Sequence, residues 1–353
     1  MATAKRLIFL GFDKSPRCLF ETITIPELKD GEILCKIRVA AICKSDLHTI
    51  NGLRSQAVPS YLGHECVAEV VAHKRTCNKD LQVGQRIVFS ICDSCGKCVT
   101  CLNGLPQKCT SLYCYEIYGH ERMLSMASTL SGAYASHIIL RAKTAVVAIT
   151  EDLPDSVAAP INCSLATMVS AVSKIKHDTS KTVLIQGCGA LGVYGCALLH
   201  DAGFSKIVCS DKIPTRLKLI RNFGGIGISA GEEQERLEPD SVDIIIEACG
   251  CKDVIDVGLS LLRPGGTYIF VGMVHPNSRL NLTAEKLIRK CLTITGVHNY
   301  DPGHLEEAVA FITRTAKKYP WGDLVGPSYS LKEFDRAVEE AVMDRFHRVL
   351  IHP

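Results

Sequence analysis

Four cysteines lie within a short stretch of the chain, at Cys95, Cys98, Cys101 and Cys109. Their spacing, C-x2-C-x2-C-x7-C, is typical of a closed structural zinc site, because thiolates at such short intervals can surround a tetrahedral ion. A shifted quartet that includes Cys92 is an alternative, but it would need a longer last interval. The sequence therefore predicts a structural zinc in a lobe at residues 92–110, bound by the four cysteines from Cys95 onward.

A second set of metal ligands is spread more widely along the chain. Cys43 opens the segment Cys43–His48, and His64 stands between a glycine and Glu65. A thiolate and an imidazole both suit zinc. Cys163 can supply a third ligand, although an isolated cysteine is more often a core residue, and Glu65 is the alternative. These residues predict a second zinc, with an open position for a substrate.

The third chemical signal is a glycine turn, G-x-G-x-x-G, at residues 187–192. It directly follows an apolar stretch and opens a run of small residues, as expected where a strand leads into a helix. The first glycine allows a tight turn, the second lets the backbone approach a pyrophosphate, and the third lets the helix pack on the strand. The residues predicted to bind a dinucleotide here are Gly187, Gly189, Ala190, Leu191 and Gly192.

Asp211 ends the next predicted strand, nineteen residues after Gly192. A carboxylate at this position accepts hydrogen bonds from the ribose hydroxyls of NAD and repels the 2′-phosphate of NADP, so the sequence favours NAD. Lys212 and Arg216 lie close by and leave a relaxed preference as an alternative. Val271, at the carboxyl end of a later predicted strand, is also expected at the cofactor site, because ligands of such sheets bind there.

Two kinds of sequence would position these groups. Up to about residue 160, short β-branched segments alternate with Gly, Asp and Pro turns, which predicts a β-rich region with strands at 33–41, 67–72 and 86–90. From residue 181, apolar strands alternate with helical patterns, which predicts a parallel sheet with crossover helices. The strands are expected at 181–186, 207–210, 242–248 and 266–271. Helices are expected from 190 and at 213–223, 305–317 and 331–343, before a last strand at 348–352.

Composition narrows the functional classes. The 353 residues, 47% hydrophobic and 22% charged, are typical of a globular protein with two domains. A net charge of +3 gives no basic surface for nucleic acid, and the apolar runs are too short to span a membrane. The first twelve residues lack a secretory leader, so the eighteen cysteines are expected to be metal ligands and buried thiols in a cytoplasmic protein.

Taken together, these features resemble the zinc-dependent medium-chain alcohol dehydrogenases over essentially the whole chain. The resemblance rests on Cys43-x-Ser45-Asp46-x-His48, Gly63-His64-Glu65, the four-cysteine lobe, Cys163-x3-Thr167, the glycine turn, Asp211 and Arg348-Val349-Leu350-Ile351. It implies an α/β fold with two domains. A GroES-like, β-rich catalytic domain would comprise residues 1–165 and 298–353, and a Rossmann domain with a doubly wound parallel sheet would comprise residues 166–297.

The resemblance also implies roles for individual residues. Zinc at Cys43, His64 and Cys163 would bind the alcohol oxygen and lower the pKa of the hydroxyl; this Cys2His set is the one established for alcohol dehydrogenases. The other implied roles are a proton relay through Ser45 and His48, pyrophosphate contacts from Lys44 and Arg348, orientation of the histidine ligand by Asp46, a position near the metal for Glu65, and packing on the nicotinamide by Thr167. The alternative for Ser45 and Asp46 is that they cap a helix, and the alternative for His48 is that it is an ordinary surface residue.

Two further segments, Gly104–Cys109 and Tyr118–Glu121, resemble a subgroup of alcohol dehydrogenases associated with phosphonate catabolism. This weaker likeness suggests a substrate neighbourhood without fixing a substrate. We predict that Tyr118, His120 and Glu121 line the substrate cleft, with a packing loop as the equal alternative.

These expectations converge on a zinc-dependent oxidoreductase that transfers a hydride between a small alcohol, or its aldehyde or ketone, and NAD, with two zinc ions per subunit. The alternatives are an NADPH-dependent reductase of an activated double bond or quinone, and a non-catalytic zinc- and nucleotide-binding protein. The extra loop that longer alcohol dehydrogenases carry after the zinc lobe is absent, so a homotetramer is as plausible as a homodimer. Neither nucleic acid nor membrane is an expected partner.

Overall fold

A computed structural model describes residues 2–76, 81–112, 118–119, 130–274 and 279–353. The chain divides into two compact units. Unit 1 comprises Met1–Cys163, Asp301–Ala316 and Trp321–Pro353, and unit 2 comprises Ser164–Tyr300 and Lys317–Pro320. The boundaries after Cys163 and Tyr300 lie close to those expected from the sequence, except that residues 317–320 return to unit 2.

Strands and helices occur in both units. The strands are β1 (Thr3–Phe9), β2 (Cys18–Thr24), β3 (Ile33–Ala41), β4 (Glu65–His73), β5 (Arg86–Phe89), β6 (His137–Leu140), β7 (Val146–Ala148), β8 (Thr182–Gln186), β9 (Lys206–Asp211), β10 (Ile226–Ser229), β11 (Val242–Glu247), β12 (Leu262–Phe270), β13 (Thr293–Gly296), β14 (Val325–Ser330) and β15 (Arg348–His352). The α-helices are α1 (Lys44–Ile50), α2 (Val99–Leu102), α3 (Asp155–Ala158), α4 (Ala166–Val172), α5 (Ala190–Asp201), α6 (Pro214–Ile220), α7 (Glu233–Arg236), α8 (Asp253–Leu261), α9 (Ala284–Arg289), α10 (Pro302–Arg314) and α11 (Phe334–Val342). Among the described residues, none of these helices is both long and apolar enough to cross a membrane.

Unit 1 is built on a seven-stranded sheet in the order β14-β15-β3-β4-β5-β7, with β6 also paired to β3. Strand β3 is antiparallel to β4, β6 and β15. Its apolar residues, among them Ile33, Cys35 and Ile37, are buried in a core shared with Phe89 and Ile138. The tail strand β15 therefore lies beside the strand that leads to Cys43.

Unit 2 contains a six-stranded sheet in the order β10-β9-β8-β11-β12-β13, and all its pairs are parallel. Counted from β8, this is the strand order 3-2-1-4-5-6 of a dinucleotide-binding fold. The central strands are almost continuously buried, as expected where helices cover both faces. The predicted Rossmann arrangement is confirmed. The apolar run at 292–297 supplies the edge strand β13.

Several helix bounds differ from the predicted ones because local signals fix them. The helix expected at 305–317 begins at Pro302, since the Asp301 side chain caps it by accepting from the Gly303 N–H. The helix expected at 213–223 tightens into a 3-10 turn at Arg221–Phe223 and stops at Gly224, whose φ is +89°. The helix expected at 331–343 opens with a 3-10 turn at Leu331–Glu333. These shifts leave the predicted order of elements unchanged.

Candidate functional site

Four side chains that can bind a metal converge in unit 1. The ligand atoms of Cys43, His64, Glu65 and Cys163 all lie within 4.8 Å of one another. The sheet accounts for part of this, because Cys43 follows β3, His64 precedes β4, and Ala41 stands opposite Glu65 in the antiparallel pair. Zinc lies about 2.0–2.3 Å from each nitrogen or sulfur ligand, so ligands of one ion must be this close. The residues present therefore fit a zinc ion.

A buried amide holds the segment that carries Cys163. This cysteine lies in a π-helix, Ile161–Leu165, a form of turn that is frequent at functional sites. The neighbouring Asn162 is fully buried and donates from Nδ2 to the backbone oxygens of His64, at 2.9 Å, and Phe89, at 3.0 Å. These bonds fasten one ligand segment to another. Asn162 was not predicted, because its only signal in the sequence is its place beside Cys163.

Asp46 lies directly behind the histidine ligand. Its Oδ1 is 3.5 Å from His64 Nδ1, and its Oδ2 accepts from the Cys43 N–H at 3.1 Å and from the Tyr134 hydroxyl at 2.9 Å. Asp46 also completes a capping box with Cys43, the N-cap of α1. Capping and contact with the histidine, which we posed as alternatives, therefore coexist. Tyr134 was missed because no local pattern links it to a residue 88 positions away.

The electrostatics of the cluster favour a cation. The hydrogen bond between the two thiols lowers the pKa of Cys43 well below its ordinary value, against the effect of burial. The same bond, together with burial, raises the pKa of Cys163. Burial lowers the pKa of His64, but Asp46 and Cys43 raise it by more, so the net pKa lies above the ordinary value. A thiolate beside a second thiol and an imidazole is a donor set that suits a divalent metal.

Arg348 and Glu65 form a buried bidentate ion pair beside the cluster. Arg348 Nε lies 2.5 Å from Glu65 Oε2, and Nη2 lies 2.7 Å from Oε1. Burial raises the pKa of Glu65 to about 7, although Arg348 acts in the opposite direction. Because both carboxylate oxygens accept from the guanidinium, the geometry favours Cys163 over Glu65 as the third ligand. The contact of Arg348 with a pyrophosphate stays a prediction, since its partner here is Glu65.

The four lobe cysteines also form one group. Their ligand atoms lie within 4.8 Å of one another, and Cys92 is not among them. Sγ–Sγ distances are 3.4 Å from Cys98 to Cys101, 3.8 Å from Cys98 to Cys109, and 4.0 Å from Cys95 to Cys101. Four sulfurs placed 2.3 Å from a tetrahedral zinc would be about 3.8 Å apart. The lobe therefore fits zinc without rearrangement, and it leaves no further position for a substrate.

Helix α1 carries three further predicted residues. Ser45 and His48 are both half-buried and, being three positions apart, lie on one side of the helix. The N-cap is Cys43, so helix capping by Ser45 is wrong as an alternative, and the proton relay stays a prediction. Lys44 is exposed, and its Nζ pairs with Asp344 Oδ2 at 3.0 Å. A contact between Lys44 and a pyrophosphate likewise stays a prediction.

The glycine turn of unit 2 has the geometry that its sequence predicts. Gly187 has a φ of +104°, which an L side chain rarely adopts. A Cβ on Gly192 would lie 1.8 Å from the Gly187 carbonyl oxygen, whereas a Cβ on Gly189 would meet open space. Gly189 is the N-cap of α5, where free N–H groups and the helix dipole favour an anion. The open side of Gly189 thus fits a pyrophosphate.

Asp211 stands at the end of β9 next to this turn. Its Oδ2 accepts from the Cys188 N–H at 2.7 Å, and its Oδ1 accepts from the Ile213 N–H at 2.8 Å. Arg216 Nη1 is 4.0 Å from Oδ2, and Lys212 is exposed. Asp211 therefore shapes the turn as well as presenting a carboxylate beside it. Two more predicted residues lie in unit 2: Val271, just after β12, and Thr167, on α4, are both buried.

The predicted substrate pocket needs a correction. Tyr118 is fully buried and packs edge-on against Phe89, and its hydroxyl is 2.7 Å from Thr144 Oγ1 and accepts from the Arg141 N–H at 2.7 Å. It is a packing residue, because both its ring and its hydroxyl are satisfied by the core. His120 and Glu121, the other two members, lie outside the described residues.

Comparison with known proteins agrees with this arrangement. One family model, described as the alcohol dehydrogenase GroES-like domain, matches residues 29–151, and another, described as zinc-binding dehydrogenase, matches residues 190–314. The chain is 26% identical to sorbitol dehydrogenase of Bacillus subtilis over 94% of its own length and 93% of that protein. It is 28% identical to zinc-type alcohol dehydrogenase B of Aspergillus flavus, over 77% of this chain but only 65% of that protein.

A solved structure extends the likeness to the whole chain. The alcohol dehydrogenase of Thermotoga maritima superposes with a TM-score of 0.91 at 27% identity and full coverage of both chains. Benzyl alcohol dehydrogenase of Acinetobacter calcoaceticus, at 20% identity and a TM-score of 0.84, shares the fold. The two family models together cover more than half of the chain. The first matches the region of the seven-stranded sheet, and the second matches the region of the six-stranded parallel sheet. The chain therefore belongs to the zinc-type medium-chain alcohol and polyol dehydrogenases.

Proposed function

We propose that this protein is a zinc-dependent, NAD-linked dehydrogenase of a small alcohol or polyol, with the corresponding aldehyde or ketone as the reverse substrate. The observation that carries the proposal is the convergence of Cys43, His64 and Cys163, from three separate segments, on one point. Three protein ligands are the number found at catalytic zinc sites, which keep a further position open. The polyol option comes from the relatives, one of which is a sorbitol dehydrogenase.

The chain's own residues would work as follows. Cys43, His64 and Cys163 hold the zinc, and Asp46 fixes the ring of His64 through its Nδ1 side. Zinc bound there supplies a Lewis acid that makes the substrate hydroxyl more acidic. Ser45 Oγ would accept the proton of that hydroxyl while passing its own proton to the imidazole of His48, which would release a proton to solvent. NAD bound at the glycine turn supplies the hydride acceptor.

Metal analysis combined with a turnover assay tests the proposal. We expect two zinc ions per chain, and reduction of NAD with members of a panel that includes ethanol, benzyl alcohol and sorbitol. Two zinc ions without turnover on any alcohol would support the non-catalytic reading. A single zinc in the lobe, together with NADPH-dependent reduction of a quinone, would support the reductase reading.

The preference for NAD should depend on the charge of Asp211. In Asp211→Asn an acceptor oxygen remains, but the carboxylate that repels a 2′-phosphate is lost, while Arg216 stays within reach. We expect the ratio of kcat/KM for NADP to that for NAD to rise on the order of tenfold, which corresponds to about 1.4 kcal/mol. Steady-state kinetics with both cofactors measure it. An unchanged ratio would mean that another group selects the cofactor.

The lobe zinc should stabilise the fold rather than take part in the chemistry. Cys101→Ser removes one of its four ligands, so we expect zinc content to fall from two to one and the Tm to drop. Turnover per remaining zinc should change little in the protein that stays folded. Cys291→Ser, which alters an exposed thiol outside both groups, is the matched control. A stable, soluble but inactive Cys101→Ser protein would contradict a structural role.

A further inference from the structure

A buried carboxylate lies at the centre of the dinucleotide-binding edge of unit 2. Glu247 is the last residue of β11 and is fully buried. Its Oε1 accepts from the Cys249 N–H at 2.8 Å and from the Gly250 N–H at 2.5 Å, and its Oε2 accepts from the Gly272 N–H at 3.1 Å. One side chain thus holds the backbone of two turns, the one after β11 and the one after β12.

The turn after β11 also touches the turn after β12 and the glycine turn after β8. A Cβ on Gly272 would lie 2.6 Å from the Gly250 nitrogen, and a Cβ on Gly187 would lie 2.7 Å from the Cys249 Cβ. Gly250 has a φ of +72°. Because β8, β11 and β12 are adjacent parallel strands, the three turns meet at their carboxyl ends. The turn after β11 thus contacts both of the other two turns.

Glu247 has no cationic partner in the described part of the chain. Its pKa is raised by burial, which the backbone hydrogen bonds oppose. The backbone N–H groups that point at this carboxylate need an acceptor there, which an apolar side chain would not supply. The carboxyl ends of the strands are also where a doubly wound sheet binds its ligand. The carboxylate is therefore in a position to set the surface that the cofactor meets.

We propose that Glu247 is a positioning residue for the nicotinamide dinucleotide, acting through the three turns at Gly187, Cys249–Gly250 and Val271–Gly272. This inference rests on the dinucleotide binding proposed above. The carboxylate of Glu247 would align the glycine turn at Gly187 with the turn that carries Val271. Loss of that acceptor should weaken cofactor binding even where the fold survives.

The test is a fluorescence titration with NADH of the zinc-loaded protein, with the Tm measured in parallel. In Glu247→Gln the amide oxygen can still serve one turn, but the NH2 group faces the donors of the other. We expect the Kd to rise on the order of tenfold, as loss of one charge-assisted hydrogen bond predicts. Glu247→Asp keeps the charge, but its shorter side chain cannot span both turns, so it should also raise the Kd. This variant provides the test if Glu247→Gln does not fold.

The same strand offers a matched control. Asp243 lies near the opposite end of β11, accepts from the Thr182 N–H at 2.8 Å and pairs with Arg263 at 2.9 Å. Asp243→Asn should lower the Tm while leaving the Kd within about twofold, less than one hydrogen bond is worth. Unchanged NADH affinity in both Glu247 variants, or an equal loss in Asp243→Asn, would overturn the inference. Failure of the unaltered protein to bind either NADH or NADPH would instead overturn the proposed function.

Discussion

Replacing Cys163 with alanine is expected to abolish alcohol oxidation and to remove one of two zinc ions. The variant leaves only Cys43 and His64 as ligands at that point, since Arg348 engages both oxygens of Glu65. A catalytic metal contributes several kcal/mol to transition-state stabilisation, so turnover should fall on the order of a thousandfold. The lobe zinc should remain. Elemental analysis and steady-state kinetics on the same preparation measure both quantities.

Cys66→Ala is the matched control for this variant. Cys66 is fully buried in β4, directly after Glu65, and it is not a member of either ligand group. It should keep two zinc ions and most of its activity, despite the loss of a buried sulfur. Two zinc ions in Cys163→Ala would show that another side chain completes the site. Glu65 would then be the first residue to test, by the double variant with Arg348→Met.

Arg348→Met should be among the most destabilising single substitutions in unit 1. It retains much of the side-chain volume but leaves the Glu65 carboxylate buried, with neither of its oxygens paired to a guanidinium. Removing one partner of a buried ion pair typically costs about 3–5 kcal/mol. We expect the free energy of unfolding to fall by this amount, measured by urea denaturation of the zinc-loaded protein.

A double-mutant cycle separates the charge effect from lost packing. Glu65→Gln alone should also destabilise, because it leaves the guanidinium of Arg348 without its counter-ion. The double variant Glu65→Gln/Arg348→Met should be more stable than the sum of the two single losses predicts, since no buried charge is left uncompensated. Additive losses would mean that the two side chains stabilise the fold independently.

The sequence predicted those parts of the site that short motifs encode. The lobe cysteines and the glycine turn are local, and their spacing alone fixes a geometry that the structure reproduces. For Tyr118 the sequence left cleft lining and packing as equal alternatives, because an aromatic residue in a short segment gives no sign of whether it faces a cleft or the core. Its hydroxyl is bound by Thr144 and by the Arg141 backbone, more than twenty positions away.

The rest of the site depends on pairs of residues that are distant in the sequence, and short motifs do not predict such pairs. Glu65 and Arg348 are 283 positions apart, and only the insertion of β15 beside β3 brings them together. The resemblance implied a role for Glu65 and another for Arg348, but it did not predict that the two residues form an ion pair. Tyr134 carries no signature, and Asn162 has only its place beside Cys163, because a buried amide or hydroxyl acquires its role from the carbonyl or carboxylate it meets.

The discontinuity of unit 1 has a consequence for the order of events on the ribosome. The segment 164–300 is nearly continuous, so unit 2 can fold while synthesis proceeds, as domains generally do. The seven-stranded sheet of unit 1 must wait for β14 and β15, and until then Glu65 lacks Arg348 as its counter-ion and β3 lacks its pairing at Ala40 and Ala41. The nascent chain therefore carries an incomplete sheet until its last strand is made. The ligands Cys43, His64 and Cys163 are all synthesised before unit 2, so they stand on an incomplete sheet until β15 is made, and we expect heterologous yield to depend on the free zinc present during synthesis.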